Sequence, residues 1–383
     1  MLSLHSNNVI MISMILSVSF VVAFLISFLC MPPFIRLMEK YRILDKSGGR
    51  KIHKGYTAHM GGLVIFLAFA FSFALFATKD PYLTNIWEIV SFILLFALVV
   101  FMGIRDDMND LSPRVKLLIE IIVGFLFCYM GIRIHGLYGL FGIEELPEWL
   151  SYILTISFII VVANAYNLID GIDGQAGTQA LSVFFFLLLY GLFVVGLDIK
   201  ETELFASSSF WIIVDVAMCG AIMGFLFYNW QPAKVFMGDT GSLFIGFMIA
   251  IRLIVSMDYN GIEPSTLFKM PVKSNILVFV MFFFLPLADT LRVFISRVRR
   301  GKSPFSADKI HIHHLLLRTG YTHQKTTIIT MSIQIVVTII SIIAALFLED
   351  IYYIAYIVVM WFVFVLGLRY FIKKKLTKIK ENL

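Results

Sequence analysis

Eleven apolar runs, each about long enough to cross a bilayer, constrain this chain more than any other feature. They fall near residues 9–31, 61–77, 87–104, 115–133, 150–167, 176–196, 208–228, 241–256, 274–296, 326–347 and 351–371. About 20 apolar residues span the hydrocarbon core, and tilt absorbs a few residues either way. In lipid every backbone N–H and C=O must find a partner inside the protein, so spanning segments are helices or closed barrels. The runs show no strand-like alternation. The expected fold is all-α, a polytopic integral membrane protein with about 10–11 transmembrane helices, forming a single domain over 1–383. Glycine- and serine-bearing stretches such as 241–246 would let helices approach closely.

Composition supports this. The chain is 60% hydrophobic and only 15% charged, against about 45–50% and 25% for soluble domains. Too few polar side chains remain to cover a water-facing surface, which excludes a soluble enzyme, a disordered chain and a fibrous repeat. The run at 9–31 exceeds a signal-peptide core and has no basic residue ahead of it, so it is expected as a retained helix. Cys30, Cys128 and Cys219 lie in apolar stretches without CxxC spacing, which supports neither a disulfide framework nor a zinc site.

The connecting segments alternate in charge. Segments 32–60, 105–114 with Lys116, 229–240, 297–325 and the tail from Arg369 carry 24 of the 31 Lys and Arg. The opposite set holds six: Lys79, Arg133, Lys200, Arg252, Lys269 and Lys273. The positive-inside rule places the first set in the cytoplasm, the N-terminus outside and the C-terminus inside. The tail Lys373–Lys380 either meets anionic headgroups or is a plain stop-transfer anchor. The net charge of +6 is thus a topology signal, and no motif supports nucleic-acid binding.

Four polar clusters all fall on the side of the basic set. Asp106-Asp107-Met108-Asn109-Asp110 places adjacent carboxylates beside the membrane, which suits a hard divalent cation such as Mg²⁺ or, more plainly, a cap for the helix starting near Pro113. In the segment 164–174, Asn164 and Asn167 are three apart and share a helix face, with Asp170 and Asp173 following at the same interval. Amides and carboxylates so arranged suit a nucleoside. Phe236-Met237-Gly238-Asp239-Thr240-Gly241-Ser242 sets a carboxylate between glycines at a helix start, fit for a metal–phosphate group or a simple N-cap. Asp308-Lys309-Ile310-His311-Ile312-His313-His314 lies among Arg297, Arg299, Arg300 and Lys302. Those cations repel a metal and attract phosphate, so a diphosphate clamp is favoured over a metal site and over a solvated basic loop. A weaker basic, glycine-rich stretch spans 45–55, followed by Gly61-Gly62. Together the clusters read as phosphoryl chemistry between a water-soluble nucleotide and a lipid.

These motifs resemble those of the polyprenyl-phosphate N-acetylhexosamine-1-phosphate transferases. The matching segments are GIRDDMND with SPRVK behind it, NAYNLIDGIDG, VFMGDTGS and DKIHIHH, in that order and over most of the chain. HIHH in a basic loop resembles the undecaprenyl-phosphate N-acetylglucosamine-1-phosphate branch more than the phospho-N-acetylmuramoyl-pentapeptide branch, which stays as the alternative. Ser47 and Ala58 stand where the family often has proline, and Gln175 follows Gly174 where leucine is common.

The resemblance implies transfer of a sugar-1-phosphate from a UDP-sugar to polyprenyl phosphate, with Mg²⁺ or, in its place, Mn²⁺, at the cytoplasmic face of a bacterial inner membrane. It implies that the active-site loops are 32–60, 105–114, 168–175, 229–240 and 297–325. It assigns Asp107 and Asp239 to the metal and Asp106 to the lipid phosphate, with the roles of Asp106 and Asp107 open to exchange. Asn167, Asp170 and Asp173 would hold the nucleoside, and Phe236 would stack on uracil. Lys116, Arg300, His311, His313 and His314 would meet phosphates or sugar. A homodimer is compatible with all of this. The competing class is a membrane transporter, to which the intramembrane Asp215 and Asp289 would belong if they were not interhelical contacts.

Overall fold

The computed structural model describes residues 2–45, 57–77, 86–137, 139–195, 202–258, 275–303 and 310–381. The basic stretch 46–56 and the pair Asp308-Lys309 lie outside the described residues. The helices are α1 Leu2–Tyr41, α2 Gly62–Ala77, α3 Ile86–Met108, α4 Pro113–Tyr129, α5 Glu148–Asn167, α6 Gln175–Val195, α7 Thr202–Asn229, α8 Gly238–Asp258, α9 Asn275–Met281, α10 Phe284–Arg299, α11 Ile312–Arg318, α12 His323–Phe347 and α13 Asp350–Glu381. The chain is an all-α, multi-pass membrane protein. Among the described residues eight helices are long and apolar enough to cross a bilayer, and α2 is a shorter apolar helix. With α4 and the broken pair α9–α10, these correspond to the eleven runs in the sequence.

α8 lies at the centre, with 94% of its spanning window buried against 11% for α13 at the periphery. Small residues permit the close approaches around it. A Cβ on Gly246 would sit 2.8 Å from the Ala163 Cα on α5, and one on Gly241 would sit 2.6 Å from the Gly62 Cα on α2. A Cβ on Gly224 of α7 would likewise meet the Phe24 carbonyl of α1 at 2.7 Å. Apolar side chains gain nothing by leaving lipid for protein, so helix association rests on such close packing and on polar contacts.

Three details depart from the sequence reading. First, α1 does not end at residue 31. It continues through Pro32 and Pro33 to Tyr41, because Phe34, Ile35 and the buried Met38 keep an apolar face against the core. The loop expected from residue 32 therefore begins a decade later. It includes a two-residue antiparallel pairing of Leu44–Asp45 with Thr57–Ala58, so the fold is not wholly without strand.

Second, the run 274–296 is two helices. Pro286 has no N–H and its ring crowds the carbonyl four residues back, that of Phe282. Gln334 of α12 repairs the break: its amide nitrogen Nε2 donates to the carbonyls of Met281 and Phe282, each at 3.1 Å, and its Oε1 accepts the Leu285 N–H at 2.8 Å. Third, Arg252 is not in a loop of the less basic set. It lies inside α8, 1% exposed, in a two-point ion pair with Asp215 of α7 at 2.7 and 2.6 Å. A buried guanidinium needs a carboxylate, and Asp215 is that partner.

Candidate active site

The N-terminus of α8 is held by a carboxylate from another helix. Asp107, in the last turn of α3, accepts the Asp239 N–H at 2.8 Å with Oδ1. Its Oδ2 accepts the N–H and hydroxyl of Thr240 at 2.9 and 2.5 Å. The first N–H groups of a helix have no partner of their own and carry partial positive charge, so an anion there satisfies both needs. Gly238 permits the approach. It has φ +73°, and a Cβ there would lie 2.6 Å from Asp107 Oδ2. Gly103, one turn before Asp107, lets Thr240 come equally close.

This capping brings Asp239 to a second carboxylate. Lys116, in the first turn of α4, places Nζ 2.7 Å from Asp106 Oδ2 and 3.2 Å from Asp239 Oδ2. Asp106 Oδ1 accepts the Leu111 N–H at 2.8 Å, which folds the 109–112 turn back onto α3. Asn167, at the end of α5, donates to Asp239 Oδ1 and reaches Ser242 Oγ, both at 2.7 Å. One turn earlier on α5, Asn164 donates to both oxygens of the buried Glu120 of α4 at 3.1 and 3.0 Å. The ends of α3, α4, α5 and α8 thus meet at one place, as the motif reading required.

The carboxylates differ in availability. The Asp107 side chain is 2% exposed and that of Asp239 is 36% exposed. The expected assignment of Asp107 to a metal meets a physical obstacle, since both its oxygens already hold the helix start and His59 Nδ1 lies 3.4 Å from Oδ1. Asp106 and Asp239 instead face one cation, Lys116, between two negative charges. Among the described residues no group of three or more His, Cys, Asp or Glu forms a closed metal site. Mg²⁺ binds through one or two carboxylates together with substrate phosphates, so the residues present fit it.

The second half of the site is built on the loop 168–174. Asp173 is buried, not open to a nucleoside. Its Oδ2 accepts the Ala233 N–H at 3.2 Å, Oδ1 lies 3.1 Å from His323 Nδ1, and its carbonyl accepts the Thr327 hydroxyl at 2.9 Å. Gly174 N–H donates to Asn229 Oδ1 at 3.0 Å, whose amide holds the Val235 carbonyl at 2.8 Å. Asp173 therefore ties the loop to 229–237 and to α12. Asp170 remains half-buried, as does Phe236, whose backbone pairs with Ala58 and Gly61.

His313 reaches this loop from α11. A Cβ on Gly171 would lie 2.5 Å from His313 Nε2, so a larger residue there would have to displace that ring. Burial pushes the His313 ring down to about 3, so at neutral pH it is an uncharged hydrogen-bonding group and not the cation expected of a clamp. His314 sits 4.2 Å from it, ring to ring. His311 Nδ1 lies 2.9 Å from Asp289 Oδ2. Arg300, expected at phosphate, is at the exposed end of α10 with Nε on the Ser296 carbonyl at 3.0 Å.

The sequence reading does not single out His59, Glu120, Asn229 or His323, and it leaves Asp289 between an interhelical contact and a transporter residue. For Glu120 and Asp289 a signal existed: an ionisable residue inside an apolar run is a functional or structural contact by default.

Residues 89–257, which hold three of the four motifs, match the family described as Glycosyl transferase family 4. The chain is 31% identical over 333 residues to the "Probable undecaprenyl-phosphate N-acetylglucosaminyl 1-phosphate transferase" of Bacillus subtilis, covering 85% of this chain and 84% of the relative. It is 32% identical over 292 residues to the "Decaprenyl-phosphate N-acetylglucosaminephosphotransferase" of Mycobacterium tuberculosis, covering 73% and 70%. It is 29% identical over 311 residues to the "Undecaprenyl-phosphate alpha-N-acetylglucosaminyl 1-phosphate transferase" of Escherichia coli, covering 79% and 77%. A likeness that runs over most of both chains, together with the four helix ends gathered around Asp239, makes this chain a member of glycosyl transferase family 4, among the polyprenyl-phosphate N-acetylhexosamine-1-phosphate transferases.

Proposed function

We propose that the protein transfers N-acetylglucosamine-1-phosphate from UDP-N-acetylglucosamine to a polyprenyl phosphate, undecaprenyl phosphate in the bacterial case, at the cytoplasmic face of the inner membrane. The observation that carries this reading is the Asp106–Lys116–Asp239–Asn167 cluster at four helix ends, in a chain whose relatives are named for this transfer. The excess of Lys and Arg on the same side supports the cytoplasmic placement, with the N-terminus outside. The product would initiate a cell-envelope glycan.

The reaction needs no protein nucleophile. A phosphomonoester has a second pKa of about 6, so the lipid phosphate is mostly dianionic at pH 7. One of its oxygens forms a bond to the sugar-linked β-phosphorus, the bond from that phosphorus to the bridging oxygen breaks, and UMP leaves with the electron pair. Asp106 orients the attacking phosphate through Lys116. Lys116 neutralises charge on the incoming phosphate and the diphosphate. Asn167 fixes the Asp239 carboxylate in one rotamer. Asp239 and Asp106 would hold Mg²⁺, which when bound supplies neutralisation of the diphosphate. Asp107 keeps Asp239 in place by holding the start of α8. Asp170, Phe236 and the histidine segment line the nucleotide side.

The test is a lipid-product assay with purified protein, polyprenyl phosphate, Mg²⁺ and a small panel of UDP-sugars. A lipid-linked diphospho-N-acetylglucosamine with release of UMP is expected. No lipid product from any UDP-N-acetylhexosamine, or solute flux in its place, overturns the reading.

A further inference from the structure

Asp289 is a carboxylate in α10 that the proposed reaction does not use, and it is the hub of the histidine segment. Its Oδ2 lies 2.9 Å from His311 Nδ1 and accepts the Ile312 N–H at 3.1 Å. Its Oδ1 accepts Arg292 Nε at 3.0 Å and Nη2 at 2.5 Å, and the same Arg292 Nη2 donates to the Ile310 carbonyl at 2.6 Å. One buried carboxylate thus fixes the backbone on both sides of His311 and the ring itself.

A carboxylate accepting from Nδ1 sets the imidazole as the Nδ1–H tautomer and leaves Nε2 for another partner. His311 is 4% exposed, and its Nε2 has no hydrogen-bond partner among the described residues. Buried polar atoms are rarely left so, which points to an atom supplied from outside the chain. The ring lies parallel to that of His313, 6.0 Å away, and His313 in turn lies on Gly171. Gly171 follows Asn167, which holds Asp239. The partnerless nitrogen is thus linked through the His313 ring to the 168–174 loop, which begins at the end of α5 beside Asn167. Arg292 beside the shared carboxylate disfavours a metal ion there.

We propose that Asp289 is a positioning residue of the transferase, holding His311 so that Nε2 accepts a hydrogen bond from a hydroxyl or N–H of the sugar nucleotide. This rests on the transfer reaction proposed above.

The test uses the full-length protein in lipid nanodiscs: wild type, Asp289→Asn, His311→Asn, the double variant and Asp289→Glu. With UDP-N-acetylglucosamine and polyprenyl phosphate, Asp289→Asn should lower kcat by about tenfold or more. The double variant should be no slower than His311→Asn alone, since the two act as one unit. Asp289→Glu should recover part of the loss. If the two single losses multiply in the double variant, or Asp289→Asn keeps wild-type kcat, the proposal falls. Nitrogen-15 histidine spectra of the wild type give a readout free of turnover. The signal lost in His311→Asn should be an Nδ1–H tautomer, and an Nε2–H tautomer overturns the proposal. A wild type that turns over no UDP-sugar sinks the function instead and leaves that spectrum to be read.

Discussion

Asp107 and Thr240 are joined by two hydrogen bonds, from the threonine N–H at 2.9 Å and its hydroxyl at 2.5 Å, both to Asp107 Oδ2. This pair fixes the first turn of α8 against the last turn of α3, and Asp239 lies between. Replacing Asp107 by Ala should therefore damage stability as well as turnover. The loss of an N-terminal cap is worth about 0.5–2 kcal/mol, and unpaired buried N–H groups add to it. Asp239→Ala should abolish turnover while leaving thermal stability near wild type, because it removes one of two carboxylates crowded on Lys116. Melting curves beside lipid-product rates check both. Equal loss of stability in the two variants would contradict this division of labour.

Lys116 stands between Asp106 and Asp239, a cation that the two carboxylates share. Removing it has opposite effects on binding and on reaction. Lys116→Met leaves the carboxylates uncompensated, so affinity for a divalent cation should rise by about tenfold, a modest fraction of the Coulomb energy at such distances. Turnover should fall by about a hundredfold or more, because a charge facing the phosphates is lost. Mn²⁺ titration by electron paramagnetic resonance measures the first effect, and the lipid-product assay measures the second. Weaker Mn²⁺ binding in Lys116→Met would show that the metal does not sit on this pair.

Inside the membrane, Asp215 and Arg252 meet in a two-point ion pair, and the Arg252 guanidinium lies 5.3 Å from the Trp211 ring. Neither lies with the site residues. Breaking such a pair strands a buried charge and costs about 3–5 kcal/mol, whereas replacing both members by apolar residues can be near neutral. Asp215→Ala should therefore lower the melting temperature sharply, and Asp215→Leu with Arg252→Met should recover most of it. Turnover per folded molecule should hold in the double variant. A double variant as unstable as Asp215→Ala would mean that the pair does more than satisfy itself.

How far these contacts could be read from the sequence depends on their range. Span positions were legible because apolar runs are a local property, and so were the four motifs, whose members lie within about ten residues of one another. Asp239 and Asn167, which the fold brings into contact, stand out in the sequence by residue type and spacing alone. The hold of Asp107 on the start of α8 was not legible, because nothing local distinguishes a carboxylate facing a metal from one reaching a helix 132 residues away. Arg252 looked like a loop cation because its partner Asp215 lies on another span. The break before Pro286 was written in the proline itself, but its repair by Gln334 was visible only once α12 had packed beside it. For Asp289 the sequence offers an interhelical contact without its partner, because His311 lies 22 residues on and meets it only in the fold.

His313 gives a prediction about pH. In an unfolded chain its pKa is near 6.5, while burial holds it at about 3 in the fold. The folded ring stays neutral as the solution is acidified. The unfolded ring takes up a proton below pH 6.5. Stability from this group is thus fully present above pH 6.5 and is lost progressively toward pH 3, at about 1.4 kcal/mol per pH unit. Between pH 6.5 and 5 the wild type should lose about 2 kcal/mol from this source. Chemical denaturation in detergent at a series of pH values reads the slope. His313→Gln keeps a polar side chain without the proton, so its slope should be shallower by one proton even if its stability is lower throughout. Equal slopes for the two proteins would mean that His313 titrates in the fold as it does in water, and that its ring is not closed off beneath Gly171 and His311.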